Sequence, residues 1–128
     1  MQKLCAFGRF NIGLFTIGLA LFCAMVTAAS AEQSRISSKA DFVRLIDGKT
    51  LTRPLIKLQV TPTGSIKGKG ARWAITGNWR WKDGYFCRDL NWGGDDLGYN
   101  CQAVSVRGNK IRFQSDKGTG DYADFRLN

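Results

Sequence analysis

GYFCRDLNWGGDDLGYNC, residues 84–101, is the stretch on which the fold turns. In an antiparallel hairpin, facing residues keep a constant index sum. Pairing Cys87 with Cys101 fixes that sum at 188. Tyr85 then faces Ala103, Asp89 faces Tyr99 and Leu90 faces Gly98, and the loop centres on Gly93-Gly94-Asp95. Register and turn chemistry need not agree, and here they do. The spacing therefore predicts a hairpin of strands Tyr85–Trp92 and Gly98–Val106, bridged by a Cys87–Cys101 disulfide. The bridge closes a loop of 15 residues.

The same two-residue period extends in both directions. Upstream, Ile75, Trp79 and Trp81 alternate with Thr76, Asn78, Arg80 and Lys82, while Gly77 on the apolar parity marks a bulge or a close approach. Further upstream, Ile56, Leu58 and Val60 alternate with Lys57 and Gln59. Pro62 and Gly64 turn the chain into Ser65–Lys69. Downstream, Gly108-Asn109 turns into Lys110–Ser115, and Asp116–Gly120 turns into Tyr122–Leu127. Seven short strands with turn signals between them predict a mostly β, antiparallel meander. Such a sheet resolves its edges as a small lipocalin-like barrel or as a two-sheet sandwich. Residues 32–37 read as a polar lead. Ser38 and Asp41 then resemble a capping box, Phe42, Leu45 and Ile46 share one stripe, and Gly48 follows as a C-terminal signal. This predicts one short N-terminal helix, Lys39–Asp47, lying over one end of the barrel.

The first 31 residues read differently. Lys3 and Arg9 precede an apolar run of 15 residues, Ile12–Val26, and Ala29-Ser30-Ala31 follows as a small-residue cleavage site. This is a signal-peptide pattern, and the run is short for a membrane span of about 20 residues. A lipid anchor on Cys23 is disfavoured by Phe22 before it. The expected organisation is a signal peptide, 1–31, and a single β-rich domain, 32–128, that is periplasmic or secreted. Two cysteines remain after cleavage, in an oxidising compartment, and an even pair there reads as a disulfide.

The chain holds 19 Lys and Arg against 10 Asp and Glu. Without Lys3 and Arg9 the domain carries 17 against 10, a net +7. That charge suits anionic partners. The cations are scattered, with Lys67, Lys69 and Arg72 the only tight group, and no basic arm of the nucleic-acid kind is present. There is no histidine, which excludes Ser-His-Asp triads, Cys-His dyads and His-ligated zinc. No cofactor or metal is implied. Asp95-Asp96 lacks the D-x-D-x-D-G spacing of a calcium loop. Asp89 with Asp95 or Asp96 could in principle serve glycoside hydrolysis, but no spacing selects a pair. The candidate ligand-binding residues are Trp92, Tyr85, Tyr99, Arg80, Arg88, Asp95 and Asp96, from the aromatic-rich segment. Trp79 and Trp81 read as core.

The string GYFCRDLNWGGDDLGYNCQAV, with IRFQSDKGTGDYADFRL after it, resembles a group of small exported alphaproteobacterial proteins of uncharacterised function. Some members carry the name dihydrodipicolinate reductase. That enzyme family has a nucleotide-binding domain with a GxGxxG-type turn and a histidine-rich catalytic segment. Neither occurs here, so that name, if attached to this chain, is expected to be an inherited label, and no catalytic residue carries over. The expectation is a noncatalytic envelope β-barrel binding an apolar, aromatic or anionic small molecule, glycan or lipid. The alternative is a protein-interaction module directed at an envelope protein, such as an inhibitor of an envelope-directed hydrolase. A deep pocket would favour the first, a flat patch of Trp92, Tyr85 and the 93–97 loop the second.

Overall fold

Period-two alternation becomes a closed wall. The computed structural model describes residues 32–128, and the predicted signal peptide lies outside them. Nine strands follow one another: β1 (Ser34–Ile36), β2 (Leu51–Arg53), β3 (Ile56–Val60), β4 (Ser65–Gly70), β5 (Trp73–Lys82), β6 (Tyr85–Trp92), β7 (Asp95–Arg107), β8 (Lys110–Gln114) and β9 (Tyr122–Leu127). A helix, α1 (Lys39–Ile46), separates β1 from β2, and a single turn, α2 (Ser115–Gly118), separates β8 from β9. Each strand from β2 to β9 pairs antiparallel with the next, and β9 pairs back onto β2. Eight strands thus close an up-and-down barrel, which decides between barrel and sandwich. The ninth, β1, pairs with residues 104–106 of β7, just past the last partner of β6, so it prolongs the line of β6 along β7.

The register puts one parity inside. Ile75, Trp79 and Trp81 on β5 face inward with Phe86 on β6, Val104 on β7, Ile111 and Phe113 on β8 and Phe125 on β9. The cysteines take the other parity and meet as predicted, Cys87 bonded to Cys101 with Cα atoms 3.9 Å apart.

Helix α1 closes one end. Ser38 caps it, its Oγ accepting from the Asp41 N–H at 3.1 Å and donating to Asp41 Oδ2 at 2.7 Å. Phe42 and Ile46, one turn apart, are fully buried. The Trp81 indole donates to Ser37 O, and Arg35 donates to Gly84 O, so this end also carries the β5–β6 hairpin. Alternating strand direction then puts the β3–β4 and β7–β8 turns at the same end. The β2–β3, β4–β5 and β6–β7 turns and α2 lie at the far end.

Four expectations need correction. There are nine strands, not seven. Ser34–Ile36, read as a polar lead, and Leu51–Arg53 are three-residue strands, too short to show a period. The helix stops at Ile46, because Asp47 turns to extended backbone (φ −62°, ψ 126°). The loop at 93–97 is a two-residue turn. Gly93 and Gly94 both take positive φ (61° and 99°), the geometry that matches strand twist, and Asp95–Leu97 belong to β7. Finally, the sum of 188 holds only as far as Asp89 opposite Tyr99. A bulge then sets Leu97 and Gly98 against the single Leu90, and Asn91 faces Asp96. Leu90 opposite Gly98 is therefore not a simple pair.

Gly77 marks a close approach rather than a bulge. A Cβ there would lie 2.1 Å from Asp89 O, and one on Gly68 would lie 2.0 Å from Lys57 O. Both obstacles are backbone, so neither yields by a rotamer change. Gly77→Ala is expected to destabilise the barrel by about 1–3 kcal/mol. A urea midpoint unchanged from the parent would refute the close approach.

Candidate functional site

Along β6 the inward parity is Phe86, Arg88, Leu90 and Trp92, so one cation interrupts an apolar row. Arg88 lies opposite Trp79 on β5 and Asn100 on β7. It is lined up with a cavity of about 140 Å³ inside the barrel. The walls include Leu51, Leu58, Ile66, Leu90, Phe113 and Phe125, and the polar members are Arg88 and Gln102. Gln102, the one buried polar side chain among the described residues, donates to Ser115 Oγ at 3.3 Å. Arg88 Nη1 donates to Gly98 O at 3.0 Å, a carbonyl that the bulge turns toward it. Its Nε is buried and has no hydrogen-bond partner. Burial lowers the guanidinium pKa from its ordinary value, and the Asp89 charge opposes that shift. Among the described residues no carboxylate lies within ion-pair distance of Arg88.

The other predicted residues do not gather round this cavity. Trp92 is inward but sits at the far end, 37 % exposed, its Nε1 donating to Gly70 O at 3.1 Å. Asp95 pairs with it across the strands, and both edge an open hollow with Trp73. Tyr85 stands at the α1 end of β6, on the outer face, between the cations of Arg35 (4.8 Å) and Lys117 (5.6 Å). Trp92 and Tyr85 are thus at opposite ends of one strand and form no common patch. Tyr99 is outward and exposed beside Cys101, and Arg80 is outward opposite Cys87. Asp96 accepts from the Gly98 N–H at 2.8 Å, which fixes the bulge. With Asp89 it borders a shallow outer groove over Gly77, where Asp89 already accepts from the Asn78 N–H at 3.0 Å. Among the described residues no three His, Cys, Asp or Glu side chains cluster to hold a metal ion.

Sequence reasoning missed Gln102 and the aliphatic walls. Arg88 is findable inside by parity alone, because it falls between Phe86 and Leu90. The charge distribution also differs from the expectation of scattered cations. Residues 48–82 contain no Asp or Glu, and they build the four adjacent strands β2 to β5. That part of the wall carries Arg53, Lys57, Lys67, Lys69, Arg72, Arg80 and Lys82 with no acidic neighbour on its own strands.

A closed barrel with an apolar cavity is consistent with a binding role. Comparison with family models, with curated proteins and with solved structures finds no match for the chain.

Proposed function

We propose that this chain is a noncatalytic binding protein of the cell envelope, periplasmic or secreted, that takes a small apolar anion into the barrel against Arg88. One observation carries the reading: a buried guanidinium nitrogen without a partner, set in an otherwise apolar cavity. Arg88 as a whole is half-buried, but its Nε is a buried donor without an acceptor, which is costly, and a carboxylate or phosphate that accepts from it removes the cost. The cavity sets the size. At about 140 Å³ it compares with cavities that hold one benzene molecule and falls below the range of about 300–1,000 Å³ usual for drug-sized ligands. The ligand is therefore a short-chain or single-ring carboxylate or a similar anion. The envelope location is supported by the leader-like N-terminus, by the disulfide and by the likeness of the central string to small exported proteins. No helix among the described residues is long and apolar enough to cross a membrane.

The test is thermal unfolding of the protein and of Arg88→Met with benzoate, hexanoate and, as the uncharged counterpart, toluene. A ligand bound to the native state raises Tm with its concentration. Benzoate or hexanoate should stabilise the parent more than toluene does. Arg88→Met should stay folded, because its apolar chain fills the stem volume and leaves no charge to desolvate. It should lose the preference for anions. Equal responses of parent and variant to benzoate would sink the assignment.

A further inference from the structure

Six large apolar side chains are exposed among the described residues: Leu55, Trp73, Trp92, Leu97, Tyr99 and Tyr122. Leu55, Trp73 and Trp92 sit on the three hairpin turns at the end away from α1. Leu55 is 80 % exposed and held at positive φ (66°), a backbone conformation that side-chain-bearing residues seldom adopt. Its carbonyl accepts from the Ala71 N–H at 2.7 Å, which ties the β2–β3 turn to the β4–β5 turn. Trp73, 51 % exposed, leans on Gly93, where an added Cβ would meet its ring at 2.8 Å. The third turn is thus joined to the other two. The Arg72 guanidinium lies 5.2 Å from the Trp73 ring centre. These apolar groups are on linked turns, not on independent loops.

The β2–β3 and β4–β5 turns carry charge of one sign, and the carboxylates at this end, Asp95 and Asp96, belong to the β6–β7 turn. Arg53 and Arg72 flank the tips. Lys57 and Lys69 face each other directly across β3 and β4, in a wall section that has no carboxylate of its own. Like charges directly opposed in a sheet destabilise it. Here the pair sits beside exposed Leu and Trp, at the margin where a lipid headgroup layer would meet it. A polyanion such as a nucleic acid would use the cations and leave Leu55 without a role. A bilayer uses both: acyl chains take Leu55 and Trp73, and anionic headgroups take the cations.

We infer that the end of the barrel opposite α1 docks on an anionic phospholipid surface, with Leu55 and Trp73 entering the interface and Arg53, Lys57, Lys69 and Arg72 meeting the headgroups. This surface is separate from the interior cavity and stands whether or not that cavity takes a ligand.

The chain's tryptophans all lie between residues 73 and 92; Trp73 and Trp92 stand at this end while Trp79 and Trp81 pack against Phe42 of α1, so the loss of quenching in Trp73→Phe is what assigns the signal to this end. The full chain is mixed with phosphatidylglycerol–phosphatidylcholine vesicles carrying brominated acyl chains, and with brominated phosphatidylcholine alone. Quenching is expected with the anionic vesicles, and Trp73→Phe should remove most of it. Lys57→Gln with Lys69→Gln should weaken partitioning by roughly tenfold while the fold is unharmed, since the change relieves a repulsion. Leu55→Ser should weaken partitioning further. The proposal is overturned by emission that brominated lipid leaves unquenched. It is equally overturned by quenching that Trp73→Phe leaves intact, or by equal partitioning into charged and zwitterionic vesicles. A protein partner captured at these tips without any lipid quenching would assign the surface to protein recognition instead.

Discussion

Replacing Phe42 by Ala is expected to lower the free energy of unfolding by about 3–5 kcal/mol. The side chain is fully buried, and its ring centre lies 5.1 Å from Trp79, 5.2 Å from Trp81, 5.1 Å from Phe86 and 6.2 Å from Phe113. These partners come from β5, β6 and β8, so a single helical residue joins strands that the meander leaves three apart. Aromatic pairs of this geometry contribute about 0.5–1.5 kcal/mol each beyond their buried area, and they share one ring, so they do not simply add. A small domain has a net stability of about 5–15 kcal/mol, and the loss is a large part of it. Urea denaturation followed by tryptophan emission measures it, since Trp79 and Trp81 touch the ring. Phe42→Leu leaves a smaller cavity and should lose less. If Phe42→Ala unfolds at the parent's midpoint, the helix is an ornament and not the plug of the barrel.

The same residue shows how far the fold is legible in the amino-acid sequence. Phe42, Leu45 and Ile46 at helical spacing, Ser38 before them and Gly48 after them are enough to place the helix, with its end one residue too late. Long strands with clear alternation are likewise readable, because a side chain every second residue must choose water or core. Three-residue strands carry one or two inward positions and no period. Ile36 and Leu51 are buried in the barrel, yet nothing in their neighbours announces it. The bulge at Leu90 is hidden for a different reason. A constant-sum register assumes equal strands, and an extra residue costs nothing in pattern when Gly98 can take a positive φ of 73°.

The site is less legible than the fold. Aromatic and charged residues crowd 79–99, and proximity in sequence suggests proximity in space. A strand defeats that inference, since neighbours alternate between the two faces and residues seven apart stand at opposite ends. Tyr85, Arg88 and Trp92 accordingly fall outside, inside and on the far rim. The cationic wall of β2 to β5 is invisible for the converse reason. Its residues are spread over 35 positions of sequence, 48–82, and only the strand order brings them side by side.

Removing the disulfide should lower stability by about 2–4 kcal/mol. The 15-residue loop corresponds to about 3 kcal/mol of chain entropy in the unfolded state, on the account that assigns the effect to that state. Burial adds a native-state contribution: Cys87 is almost fully buried, and Cys101 is half-buried. A Ser at 87 would place a hydroxyl where the thioether-like sulfur now sits, so Cys87→Ala with Cys101→Ala isolates the crosslink better than the Ser pair. Position in the fold decides what else should change. Both cysteines point away from the cavity, but Arg88 is the next residue in the chain, and its partner Gly98 O lies three residues before Cys101. The bridge therefore clamps the segment that aims the guanidinium. Losing it should speed hydrogen exchange across 87–101 more than across the β8–β9 hairpin, and should weaken benzoate binding without abolishing it. Thiol labelling of the denatured, unreduced protein that finds both cysteines free would remove the bridge outright. An Ala pair with the parent's urea midpoint and exchange pattern would leave the bridge in place and strip it of a structural role.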